Sequence, residues 1–135
     1  KICVPCSPFY LTAFLQHMHL SKAVHISHLL KISLNSFTLK ISNSLEQKHS
    51  IARCAKQLNI SESYFQLIYK KLFGISFQQD LILMRVTRAR FNLSTSNLSL
   101  SQIAEFCGYN NEVHFYRQFK KLTGVTPAQY RKHPF

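Results

Sequence analysis

The feature that most constrains this chain is a near-copy of itself: "YFQLIYKKLFGIS" (64–76) returns as "HFYRQFKKLTGVT" (114–126), an offset of 50 residues. The alignment pairs Phe65 with Phe115, Tyr69 with Phe119, Lys70-Lys71 with Lys120-Lys121, Leu72 with Leu122 and Gly74 with Gly124. Upstream, "IARCAKQLNI" (51–60) matches "LSQIAEFCGY" (100–109) at an offset of 49, so the second copy holds one extra residue in its turn. A repeat of this period predicts two similar supersecondary units.

Each copy reads as a short apolar helix, a residue that tolerates positive φ (Asn59 or Gly108) and a second helix ended by glycine. This is the outline of a helix-turn-helix, whose second helix can lie in the DNA major groove. Ser50, Ser61 and Asn110 are suited to cap three helices, and Thr126 before Pro127 is an N-cap followed by proline at the first helical position. Ser76 with Gln79, and Ser99 with Gln102, fit the S-x-x-Q capping box. Residues 76 to about 93 read as one long helix, with Phe77, Leu81, Met84, Ala89 and Leu93 facing the two copies. The expected fold is therefore all-α: two helix-turn-helix subdomains (about 50–73 and 99–122) joined by a long linker helix, with a last helix at about 126–132. A short helical N-terminal segment precedes them.

That segment has a different texture. Residues 1–49 are rich in Leu, Ser, His and Ile and carry five Lys and one Glu. One candidate helix runs through Phe14, Met18 and Leu20; another runs from about Ser33 to Leu45, with Phe37, Ile41 and Leu45 at i, i+4 and i+8. We divide the chain into an N-terminal segment or linker, 1–32, and a DNA-binding domain, 33–135. The sequence starts at Lys1 rather than Met, which reads as a fragment or processed form with an upstream domain missing.

Seventeen Lys and Arg against five Asp and Glu give a formal charge of +12, which favours phosphate-rich partners or anionic membrane surfaces. No apolar run approaches the roughly 18 residues that a membrane span requires, so no membrane partner is expected. The opening "KICVPCSPFYLTAFLQ" lacks the basic n-region and small-residue cleavage site of a signal peptide. We therefore expect a cytoplasmic protein with reduced thiols. Cys54 and Cys107 sit in apolar helical patterns and are read as small buried hydrophobes. Cys3 and Cys6 form a C-x-x-C pair, half of a zinc site or a redox motif, with His17, His19, His25 and His28 as conceivable further ligands. No second C-x-x-C follows, so no metal or cofactor is assigned, and a thiol or zinc sensor at this pair is kept as an alternative. An enzyme is not expected, because the five acids form no pair or ligand cluster of recognisable spacing.

With a step of about 100° per residue, Phe115, Phe119 and Leu122 fall on one side of the second helix of copy two, with Gln118 at the margin. Val113, Arg117, Lys120 and Lys121 occupy the other, flanked by His114 and Tyr116. In copy one the same construction buries Phe65, Ile68, Tyr69 and Leu72 and turns out Ser63, Gln66, Leu67, Lys70 and Lys71. Leu67 falls where Arg117 falls in copy two: Arg117 suits guanine or phosphate, Leu67 a thymine methyl, and Gln66 an adenine edge. Lys-Lys at a helix end also complements the helix dipole. Its recurrence on matching faces, in a chain of this charge, favours DNA contact. Arg85, Arg88 and Arg90 on the linker helix fit either phosphate contacts or internal pairing.

The second unit, "LSLSQIAEFCGYNNEVHFYRQFKKLTGVTPAQYRK", carries I-A-E, G-Y, F-x-R-x-F-K-K, G-x-T-P and Y-R in the order of the AraC/XylS family of bacterial transcription regulators, and residues 50–132 resemble that family's DNA-binding domain. The first unit is looser, with Asn59 where the family usually has Gly and Leu67 where it often has Arg. The resemblance implies seven helices in two subdomains and two recognition helices in successive major-groove segments of double-stranded DNA. It places Ser63, Gln66 and Leu67 at one segment and Val113, His114 and Arg117 at the other, with Lys70, Lys71, Lys120 and Lys121 nearer the backbone; Asn111 and Tyr116 are counted as further candidate DNA contacts. It also favours an activator, for which RNA polymerase would be a further partner; oligomeric state is left open. A nonspecific basic nucleic-acid binder would share the charge and is the competing expectation.

Overall fold

The computed structural model describes residues 20–134, with side chains from His28 onward. The described residues form seven helices and no strand: α1 (Leu20–Ser42), α2 (Ile51–Gln57), α3 (Glu62–Phe73), α4 (Phe77–Thr95), α5 (Leu100–Phe106), α6 (Glu112–Thr123) and α7 (Pro127–Lys132). Backbone contacts divide the chain after Phe37, leaving Thr38–Phe135 as one compact unit. Neither Gly nor Pro interrupts residues 20–42, so one helix covers the stretch where the sequence pattern starts a helix only at Ser33. Leu20 opens it; Phe14 and Met18 lie outside the described residues. Before the division α1 buries Leu34 and Phe37 and leaves Leu29 and Ile32 exposed; after it, Ile41 is buried, as is Leu45 just beyond the helix end.

Local chemistry explains each boundary in the compact unit. Ser50, Ser61, Ser76, Ser99 and Thr126 each accept a hydrogen bond from the backbone N–H three residues on, and Ser76, Ser99 and Thr126 complete capping boxes with Gln79, Gln102 and Gln129. Each such cap stabilises its helix by about 1 kcal/mol. The cap of α6 is Asn111, not Asn110 as the sequence pattern has it: its Oδ1 accepts from Val113 N at 2.8 Å and His114 N at 3.4 Å. The extra residue in this turn moves the cap one position along. The Ser76 and Thr126 boxes lie 50 residues apart, so the repeat takes in the first turn of a third helix, α4 in one copy and α7 in the other.

The interhelix turns use Asn59 (φ 54°) and Gly108 (φ 83°), and α3 and α6 both end on left-handed glycines, Gly74 and Gly124. Gly108 meets a second demand. A Cβ there would sit 2.0 Å from the Leu45 carbonyl oxygen, so the backbone after α1 passes where a side chain would be.

Two aromatic cores result. In the first, Phe77 at the start of α4 packs edge-on against Phe65 (5.2 Å between centroids) and Tyr69 (5.3 Å) of α3. In the second, Ile103, Ala104, Cys107, Tyr109, Phe115, Phe119 and Tyr130 close around Val86, Ala89 and Leu93 of α4. The linker helix thus lends opposite ends to the two cores. Leu72 is only half-buried and Leu122 is exposed, contrary to their assignment to the inner faces. Both sit in the last turn before the glycine cap, where the helix runs out of neighbours.

Candidate nucleic-acid interface

The exposed face of α6 is set by what the opposite face must bury. Phe115 and Phe119 are fully buried, which turns Val113, His114, Arg117, Lys120 and Lys121 outward; Val113 is 58% exposed although apolar. On α3, burial of Phe65, Ile68 and Tyr69 turns out Ser63, Gln66, Leu67, Lys70 and Lys71, with Leu67 65% exposed. The side chains of Arg117 and the four lysines make no hydrogen bond or ion pair among the described residues, so their charge is available to an anion. Lys70 and Lys120 also occupy the turn whose carbonyls end each helix, since their backbone oxygens accept from Gly74 N and Gly124 N. Helix-dipole complementation therefore accounts for part of their placement.

Two of the candidate residues differ in kind from the rest. Asn111 is exposed, but its Oδ1 is committed to capping α6. Tyr116 is half-buried, packed on the second core and edge-to-face with Phe115 at 6.0 Å. Burial and then the nearby Glu112 carboxylate raise its phenol pKa, with Arg131 opposing. The sequence placed it on the flank of the outward face; the extra bulk of an aromatic ring draws it onto the core.

The linker arginines each have a partner within the fold. Arg88 donates to the Ser42 carbonyl at 2.7 Å, Arg90 donates to the Tyr130 hydroxyl at 3.1 Å and lies over that ring, and Arg85 lies 5.4 Å from the centre of the Tyr109 ring. Burial lowers the Arg85 pKa. Arg85 and Arg88 are thus drawn into internal contacts, whereas Arg90 keeps an exposed side chain beside its Tyr130 partner. Arg131, which the sequence left unassigned, donates to the Leu98 carbonyl at 2.5 Å and ties α7 to the loop after α4.

Cys54 and Cys107 are buried thiols, pushed up to about 11 by burial, as expected of small hydrophobes without reactivity. Cys3 and Cys6, with His17, His19 and His25, lie outside the residues described with side chains. Among the described residues no group of three His, Cys, Asp or Glu could hold a metal ion, and no helix is long and apolar enough to cross a membrane.

A family model described as a helix-turn-helix domain matches residues 54–133. The chain belongs to the AraC/XylS family of transcriptional regulators. The raffinose operon transcriptional regulatory protein RafR of Pediococcus pentosaceus is 35% identical over 104 residues, 74% of this chain and 37% of RafR. The F1 operon positive regulatory protein of Yersinia pestis is 31% identical over 106 residues, 78% of this chain and 35% of that protein. Among solved structures, the DNA-binding domain of AdpA, a global transcriptional factor crystallised with a target DNA, superposes with a TM-score of 0.71 at 27% identity, covering 73% of this chain and 89% of that one. The chain thus spans little more than a third of either of those two regulators. The AraC/XylS assignment carries an all-α DNA-binding-domain fold, seen here in α2 to α7, and a family of regulators rather than enzymes.

Proposed function

We propose that this chain binds double-stranded DNA in a sequence-specific way through residues 33–135, with residues 1–32 as a connecting segment. The recognition helices α3 and α6 enter successive major-groove segments. The observation that carries the reading is the recurrence of one construction on two helices: buried aromatics behind, exposed polar or apolar readers in the middle and an unpaired lysine pair at the end. Ser63, Gln66 and Leu67 read one segment, Val113, His114 and Arg117 the other, and Lys70, Lys71, Lys120 and Lys121 hold the phosphates. Asn111 contributes through its cap and Tyr116 through the ring edge it leaves uncovered. Similarity to the F1 operon positive regulatory protein supports activation, with RNA polymerase as second partner and the cytoplasm as the place of work.

Selection of bound duplexes from a random pool, followed by affinity for the winner and for scrambled DNA at several salt concentrations, tests this. Two short conserved blocks about one helical turn apart are expected. Uniform, steeply salt-dependent binding to every sequence would instead identify a nonspecific binder. Activation is tested by adding the chain to transcription in vitro from a promoter bearing the selected site, where transcript should rise.

A further inference from the structure

Behind the outward face of α6 lies a hydrogen-bonded relay that the DNA-reading face does not itself account for. The Tyr109 hydroxyl, on a 5% exposed side chain, donates to Gln118 Oε1 at 2.8 Å. The same Gln118 amide presents Nε2 to the His114 ring Nε2 at 3.0 Å, one helical turn back. Tyr109 and His114 also meet edge-to-face, with 5.8 Å between ring centres, and Arg85 holds the other side of Tyr109.

The chemistry of these groups fixes the direction of the relay. The Tyr109 hydroxyl faces Gln118 Oε1, an amide oxygen that can only accept, so the phenol donates. A donor at Tyr109 sets the Gln118 carbonyl toward it, and the amide N–H2 toward the imidazole. An amide N–H can be received only by an unprotonated ring nitrogen, so a neutral His114 must carry its proton on Nδ1. Nδ1 makes no hydrogen bond to any described residue, and the ring is exposed.

Building on the DNA-reading role of α6 given above, we propose that Tyr109 and Gln118 are positioning residues that hold His114 as an Nδ1–H donor. α6 thereby selects an acceptor edge, such as guanine O6 and N7, over the amino group of cytosine at the base pair His114 meets. Copy one has no such device: the positions of Tyr109, His114 and Gln118 are held there by Ile60, Tyr64 and Ile68. The relay belongs to the second unit, and with it a base preference that the first unit cannot share.

The test uses the 135-residue chain and two variants, Gln118→Leu and Tyr109→Phe; the second keeps the ring and its packing and removes only the hydroxyl. Two-bond 1H–15N spectra of the imidazoles, recorded without DNA at mildly alkaline pH, read the tautomer directly. The expected result is an Nδ1–H signature for His114 in the parent that gives way to a mixture in both variants. Selection from random duplexes should then show discrimination at one position falling about fivefold to tenfold in both variants, down to the level of His114→Ala, with the other positions kept. A Tyr109→Phe protein that retains both the parent tautomer and the parent preference overturns the relay. So do variants that change tautomer while selecting the same bases, because the relay then does not reach recognition. A parent that selects no sequence at all fails the reading of α6 itself, and the imidazole spectra still report on the relay separately.

Discussion

The two helix-turn-helix units share a plan and differ in how tightly it is held. In the second, Gly108 lets the turn press against the Leu45 carbonyl, Arg85 lies over Tyr109, and Tyr109 and Gln118 steady His114. In the first, Asn59 takes the same backbone conformation at φ 54°, and Ile60, Tyr64 and Ile68 stand at the positions of the relay. Its outward face carries Leu67 where the second has Arg117. The lesson is that one backbone plan leaves room for two kinds of outward face, a polar and buttressed one and a more apolar one.

The most severe way to break the contrast is at the turns. Gly108→Ala places a Cβ against backbone that cannot move aside and forces an L side chain to φ 83°. A loss of about 3 kcal/mol or more is expected in urea unfolding, combining strain with the clash. Gly124→Ala, with a similar φ of 82° but open space around the new methyl, should cost only about 1 to 2 kcal/mol. Equal losses at the two glycines would remove the Leu45 contact from the explanation.

Next in size is the difference between the readers. Arg117→Ala should weaken binding to the selected site by about 1 to 3 kcal/mol and relax preference beneath it. Leu67→Ala, which gives up only apolar contact, should cost less than about 1 kcal/mol and leave the salt dependence unchanged. Titrations at two ionic strengths decide the matter. A larger effect at Leu67 than at Arg117 would reverse the assignment of the dominant unit.

A smaller effect separates the cores. Tyr69 donates to Asp80 Oδ2 at 2.5 Å, whereas its counterpart Phe119 meets the Tyr130 ring edge-on with 5.6 Å between centres. Tyr69→Phe makes the first core resemble the second but strips a half-buried carboxylate of its donor. About 1 to 2 kcal/mol should be lost in urea unfolding. A neutral outcome would mean that water replaces the phenol at Asp80.

These contrasts also show what the sequence carries and what it hides. The helix order, the linker helix, the serine and threonine caps and the positive φ at Asn59 and Gly108 were legible because each rests on local chemistry repeated at a fixed offset. The start of α1 was not, since apolar residues lie all round it: Leu29, Ile32 and Leu39 are exposed while Leu34, Phe37 and Ile41 are buried, and no single stripe marks the helix. The outward residues of α3 and α6 followed from periodicity alone. Tyr116 and Leu122 did not, because a helical wheel gives angle without saying where the neighbours stop. Least legible were contacts between distant residues, such as Arg88 with Ser42 and the Tyr109–Gln118–His114 relay, which depend on the packed turn rather than on spacing.

The mildest expected difference is invisible at neutral pH. Each core holds one thiol, Cys54 or Cys107, and burial lifts both from 9.0 to about 11. A thiol whose folded pKa lies above its unfolded one binds its proton more tightly when folded. Its contribution is therefore complete below pH 9, and it is lost as pH rises through about 11. The urea midpoint should hold steady to pH 9 and then fall, and either Cys54→Ala or Cys107→Ala should flatten part of that fall. Arg53 opposes the shift at Cys54, while Arg88 and Arg85 oppose it at Cys107, where burial is nonetheless complete. If the two variants flatten the curve equally, the cores are equally dry around their thiols, and the contrast between the units lies in their turns and outward faces. A curve flattened only by Cys107→Ala would extend the contrast inward, making the first core the one that admits water.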